Sequence, residues 1–331
     1  MSYRWHTIVF ILLSVALGLV FLYLTPLKTI PLKTIDYSPS HFQFYSNISK
    51  KPVFSDITAY AGLVVSHMQG GEKITNLTET LGAGACVLDF DNDGWLDIFF
   101  ITGSGQTRYY GRREWWQQGH SNVLYKNNGN GQFVDVTKRA GLENTVWGMG
   151  CASADFDNDG DADLFVTSYG SNIFYENRNG RFVDISPLAG IKGEAWSTSV
   201  VVADYNKDGL LDIYVVNYLD FKNGAKTYEK TSGFQRMLPV SFDARVYDGQ
   251  ANQLYLNKGK LKFEDVTSNA GVANVGGRGL AAQWVDLNRD SYPDLIVSND
   301  AGLPNAVFLN KYGETFINAS LEYPLNSAEA T

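Results

Sequence analysis

Histidine is scarce in this sequence, at four residues, and cysteine scarcer, at two. The four histidines, His6, His41, His67 and His120, are isolated, so neither a zinc-ligand spacing nor a Ser/His/Asp constellation can be assembled from neighbours in the chain. Cys86 and Cys151 are too few for a disulfide scaffold. They stand three and four residues before acidic loops described below. In strands those offsets point to opposite faces, and two buried free thiols are expected. No stripe of lysine and arginine runs along the chain, so a nucleic-acid role is not expected. A strong 3.6-residue apolar period is missing beyond the N-terminus, which argues against a helical fold.

Glycine is plentiful at 32 residues, and aromatics reach 14%. That mixture suggests short strands joined by tight turns. The formal charge of −8 is unevenly spread. Fifteen of the 35 acidic residues fall in four short loops, without which the chain would be basic. Four bound divalent cations would neutralise the formal charge, so the acidity reads as metal-site charge.

Residues 1–7 form a short tail. Ile8 to Leu24 is an uncharged apolar run of 17 residues, preceded by Arg4 and followed by Lys28 and Lys33. It is long for a signal-peptide core and just long enough to span a membrane, so an uncleaved transmembrane signal anchor is expected. Residues 25–50, with Pro26, Pro31 and Pro39, read as a linker or stalk.

From residue 51 to 331 one four-part pattern recurs. A small-residue strand leads into an Asp loop and an apolar strand. An Asn-x-x-aromatic-x-Asn segment follows, then Phe-x-Asp-x-Thr closing on Ala-Gly. The Asp loops span residues 89–97, 155–163, 204–212 and 286–294. The aromatic segments begin at Asn122, Asn172, Asn252 and Asn305, and the closing segments at Phe133, Phe182, Phe263 and Phe316. A fifth closing segment, from Phe54, has no Asp loop of its own. The shortest period, Asp155 to Asp204, is 49 residues. That length suits a four-stranded propeller blade, and the expected fold is all-β, a partial β-propeller of four to five blades. Residues 103–121 and about 218–251 are insertions.

The loops place oxygen ligands at positions 1, 3, 5 and 9: Asp89, Asp91, Asp93 and Asp97; Asp155, Asp157, Asp159 and Asp163; Asp204, Asn206, Asp208 and Asp212; Asp286, Asn288, Asp290 and Asp294. The backbone carbonyl at position 7 (Trp95, Asp161, Leu210 and Tyr292) is the natural further ligand. Calcium takes six to eight oxygens in irregular geometry, and up to four ions are expected. Glycine at position 6 permits the curl; Ser291 stands there in the fourth loop. An EF-hand would need Glu at position 12, where this chain has Phe100, Val166, Val215 and Val297.

These loops, with the strands Leu81-Gly82-Ala83-Gly84-Ala85 and Trp147-Gly148-Met149-Gly150 before them, resemble FG-GAP/VCBS repeats, which build the propeller of integrin α-subunits. The closing elements look more like the ASPIC/UnbV, cartilage-acidic-protein-like branch. The resemblance implies a calcium-loaded propeller outside the cytoplasm with ligand or adhesion roles. Such propellers usually have seven blades, so a truncated frame or an open, self-associating arc is expected.

The functional expectation is therefore a membrane-anchored binding module on the extracellular or periplasmic side, with a protein or glycan partner. Tyr109, Tyr110, Arg112, Arg113, Trp115 and Trp116 in the first insertion are the candidate ligand surface. The alternatives are a polysaccharide-active propeller enzyme and a structural scaffold of an envelope complex. Catalysis is not expected, because the metal loops use up the Asp pairs.

Overall fold

The computed structural model describes residues 54–65, 67, 77–82, 84–103, 122–143, 146–220, 243–323 and 325. The chain divides into two compact units, Met1–Ser55 and Asp56–Thr331. All elements named below belong to the second. The expected membrane span, residues 8–24, and the stalk lie outside the described residues. Among the described residues no helix is long and apolar enough to cross a membrane.

Each repeat folds into a four-stranded antiparallel meander, and its four sequence segments are its four strands. The first blade is β1 (Ala85–Leu88), β2 (Asp97–Phe100), β3 (Val123–Asn127) and β4 (Phe133–Asp135). The second is β5 (Gly148–Ala154), β6 (Asp163–Gly170), β7 (Ile173–Asn177) and β8 (Phe182–Asp184). The third is β9 (Ala195–Ala203), β10 (Asp212–Asn217), β11 (Gln253–Asn257) and β12 (Phe263–Asp265). The fourth is β13 (Gly279–Val285), β14 (Asp294–Asn299), β15 (Ala306–Lys311) and β16 (Thr315–Asn318). Within each blade the strands pair in chain order. The second and third blades also pair through Tyr169↔Trp196 and Gly170↔Ala195, which joins them into one sheet.

The first strands β1, β5, β9 and β13 pack successively against one another, so the blades stand face to face. Their apolar faces interleave. Phe99 and Leu124 meet Leu164 and Val166 between blades one and two. Phe165 and Phe174 meet Ile213 and Val215 between two and three. Tyr214 and Leu254 meet Leu295 and Val297 between three and four. The apolar strands after the Asp loops are buried on both faces in the two middle blades, where all six residues of β10 are buried. In the first blade Ile98 and Phe100 of β2 are only half-buried, because among the described residues that face has no neighbouring sheet.

The Phe-x-Asp-x-Thr element has a mechanical reading. Asp135 Oδ1 accepts the Thr137 N–H at 2.9 Å and the Thr137 hydroxyl at 2.6 Å. The same hydroxyl oxygen accepts the Leu124 N–H of β3 at 2.9 Å, which ties the turn to its own sheet. Asp184 with Ser186 and Asp265 with Thr267 repeat this arrangement. Asn318 with Ser320 does so in the fourth blade. One helical turn follows each of the first three closings: α2 (Thr137–Ala140), α3 (Ser186–Ala189) and α4 (Thr267–Ala270), after α1 (Thr58–Ala61), which follows the Phe54 segment. These turns are too short to show a helical period in sequence. Residues 54–57 themselves form no strand.

Each of these turns ends on Ala-Gly, and that pair docks on the next blade. Gly190 has φ +88°, and a Cβ there would lie 2.6 Å from the Phe263 carbonyl oxygen of β12. Gly141 stands likewise against the Phe182 carbonyl of β8, at 2.7 Å. The left-handed backbone and the close approach both require glycine. Ala140 and Ala189 before them are buried.

The two cysteines correct the sequence expectation of free thiols. Cys86 of β1 and Cys151 of β5 form a disulfide, with Cα atoms 6.0 Å apart. The facing argument considered each strand alone. The first strands of adjacent blades pack against each other, so side chains from two sheets can meet there.

Candidate metal centre

The Asp loops are the hairpins joining the first and second strands of each blade, and all four adopt one geometry. The position 1 carboxylate closes the turn by accepting two backbone N–H groups. Asp89 takes those of Asp93 and Gly94, at 3.1 and 2.9 Å. Asp155, Asp204 and Asp286 do the same in their loops. The position 5 carboxylate accepts the N–H of position 7, as Asp93 does from Trp95 at 2.9 Å. Asp159, Asp208 and Asp290 accept equally from Asp161, Leu210 and Tyr292. Ser291 fits the pattern despite its side chain: its φ is +72°, left-handed like that of the glycines at this position in the other loops.

Position 9 lies beneath the loop. Asp97, Asp163, Asp212 and Asp294 are buried to 1% exposure or less. One oxygen of each accepts the N–H of position 2, and the other accepts the N–H of the last Asn of the aromatic segment. For Asp163 these donors are Phe156 and Asn177, at 3.2 and 2.8 Å. Burial raises the Asp97, Asp163 and Asp212 carboxyls above their ordinary range, to about 7 for the last two, although the backbone donors pull the other way. Asp157 is also raised, first by burial and then by Asp159 and Asp155 beside it.

The oxygen chemistry fits a hard cation. Single oxygens of Asp89, Asp91 and Asp97 lie within 4.8 Å of one another, as do those of Asp155, Asp157 and Asp159. Asp91 Oδ1 and Asp157 Oδ1, both at position 3, are buried and accept no hydrogen bond. An orphaned carboxylate oxygen among like charges is costly unless a cation meets it. In the third and fourth loops Asn206 and Asn288 stand at position 3. Their amides donate to Asp208 and Asp290, each at 2.9 Å. Those loops bring together three carboxylates rather than four.

Some functional contacts were not apparent in sequence. In the second, third and fourth blades the last Asn of the aromatic segment bridges two blades. Asn257 Nδ2 donates to the Phe156 carbonyl in the second loop at 2.8 Å and to the Leu211 carbonyl in its own loop at 3.0 Å. Asn177 and Asn310 make the equivalent bridges. Position 4, which has no ligand role, reaches the following loop. Asn92 donates to Asp161 Oδ1 at 2.8 Å, Asn158 donates to the Gly209 carbonyl at 3.2 Å, and the Lys207 ammonium sits 4.0 Å from the Tyr292 ring centre. Positive φ at all three positions aims them sideways. The loops therefore form a linked row along one end of the blades.

The insertions leave from the other end of the second strands. The part of the second insertion that is described folds back on the blades: Leu219 pairs with Gly249, and Tyr218, Ala244 and Tyr247 pack on Trp147 and Trp196. Tyr109, Tyr110, Arg112, Arg113, Trp115 and Trp116 lie outside the described residues. Among the described residues His67 is the one histidine, and its Nδ1 accepts the Gly103 N–H at 3.2 Å.

No curated protein matches this chain. Among solved structures, a lectin of Agrocybe aegerita that recognises non-reducing terminal N-acetylglucosamine is similar at 17% identity. The match covers 70% of this chain and 50% of that one, with a TM-score of 0.37. The V. cholerae biofilm matrix protein Bap1 is similar at 14% identity, covering 71% and 38%, with a TM-score of 0.28. The chain thus spans about half the length of the lectin. The family described as FG-GAP-like repeat matches residues 89–166 and again 155–215, so the chain carries FG-GAP-like repeats across the Asp loops of its first three blades.

Proposed function

We propose that this protein is a calcium-binding, membrane-anchored binding or adhesion module, displayed on the extracellular or periplasmic side. The observation that carries the calcium reading is the orphaned oxygen Asp157 Oδ1, buried within the converging carboxylates of the second loop. Calcium at positions 1, 3, 5 and 9, with the position 7 carbonyl, would neutralise these loops. Because the loops are linked into a row, an ion in one stiffens the seam to the next. Magnesium suits the site less well, since it prefers strict octahedra and retains its waters.

Two features support the location. The disulfide between Cys86 and Cys151 suits an oxidising compartment. Extracellular calcium modules also work at roughly 10⁻⁴–10⁻³ M, a level the cytosol does not supply. The run from Ile8 to Leu24 is the proposed anchor. The closing Phe-x-Asp-x-Thr and Ala-Gly elements favour the ASPIC/UnbV-like branch.

The ligand face in this reading is the insertion end, opposite the loops, with Trp115 and Trp116 as anchors for a protein or glycan. Equilibrium dialysis of the purified protein against calcium tests the metal reading. Saturable binding lost on D155N/D157N supports it, and no binding at millimolar calcium removes it. Loss of glycan-array or cell-surface binding in W115A/W116A supports the ligand face, and unchanged binding removes it.

A further inference from the structure

The residue just before the last Asn of the aromatic segment lies beside the Asp loop in the first two blades, and it differs from blade to blade. It is Lys126 in the first, Glu176 in the second, and Leu256 and Leu309 in the third and fourth. The Lys126 ammonium is paired with Asp91 Oδ2 and Asp93 Oδ2, positions 3 and 5 of the first loop. Its side chain is only 19% exposed, and its ammonium lies 5.7 Å from the centre of the buried Phe90 ring. Glu176 adds a further negative charge near Asp157 and pairs with Arg178 at 2.6 Å. The leucines add no charge.

We propose that Lys126 is the tethered cation of the first loop, so that this loop is held without a metal ion and calcium loads only the other three. The proposal rests on the calcium reading of the remaining loops. Positions 3 and 5 are the oxygens an ion in the first loop would need. A covalently attached ammonium reaches them at an effective concentration that free millimolar calcium must compete against. Seating an ion there would require the lysine to leave two carboxylates and a buried aromatic face. The second loop shares an orphaned position 3 oxygen with the first, but it has an extra carboxylate, Glu176, and among the described residues no ammonium pairs with its position 3 or 5.

Equilibrium dialysis and chelator melting of the full chain, in wild-type form and as K126L and K126E, test this. K126L copies the third and fourth blades, and K126E copies the second. Wild type is expected to bind one calcium fewer than either variant. In chelator, both variants are expected to melt several degrees below wild type, K126E further than K126L, and saturating calcium should close most of that gap. D89N/D91N in the wild-type background should leave the calcium count unchanged, while D155N/D157N lowers it by one. Equal counts in wild type and K126L, or a calcium lost from wild type on D89N/D91N, would overturn the lysine role and leave calcium at the other loops standing. If no calcium binds to any of the proteins, both the lysine role and the calcium reading fall.

Discussion

Single side chains set the geometry that repeats. Gly190 combines φ +88° with a Cβ path blocked at 2.6 Å by a backbone carbonyl. G190A should therefore destabilise the protein by roughly 2–3 kcal/mol, read as a lowered denaturant midpoint with unchanged slope. Ser291 holds the same handedness at φ +72° with a side chain in place. S291G should raise stability by about 1 kcal/mol, because the left-handed penalty disappears while the N–H bond to Asp286 remains. If S291G proved destabilising, the serine side chain would have a role that the loop geometry does not show.

At the scale of the elements, the strands and loops were legible because each carries a chemical reason that survives in sequence. Asp at positions 1, 5 and 9 closes and floors each hairpin, and the spacing alone marked all four. Asn177 and Asn257 were visible as motif members, but their bridging was not, since that depends on which blade stands beside which. Lys126 was invisible for a related reason: strand alternation gives it a face, and only the curl of the loop brings Asp91 and Asp93 to that face. The disulfide was misread because an alternation argument within one strand cannot register a neighbouring sheet. Its closure of a 65-residue separation should contribute about 4 kcal/mol in the chain-entropy view. C86S/C151S should lose a stability of that order by chemical denaturation, and thiol titration of the unfolded, unreduced wild type should find no free sulfhydryl.

For the whole molecule, the proposed filling of the loop row by calcium carries a pH signature. Without a cation, Asp163 and Asp212 have carboxyls raised to about 7, above their ordinary value near 4 when unfolded. The folded state then holds protons that the unfolded state has released. Their contribution is fully present below pH 4 and is lost as pH rises through about 7. Chelated protein should therefore lose stability from these groups between pH 5 and pH 8. Calcium, which needs the deprotonated oxygens, should stabilise more at pH 8 than at pH 5. A calcium effect that shrank as pH rose would contradict that linkage.

Thermal melting of the full chain at pH 8, titrated from excess chelator into millimolar calcium, tests the central claim most directly. The account predicts a melting temperature that climbs with free calcium and continues to rise beyond saturation by mass action, as for a ligand held only by the folded state. Superimposable melts in chelator and in calcium would contradict it.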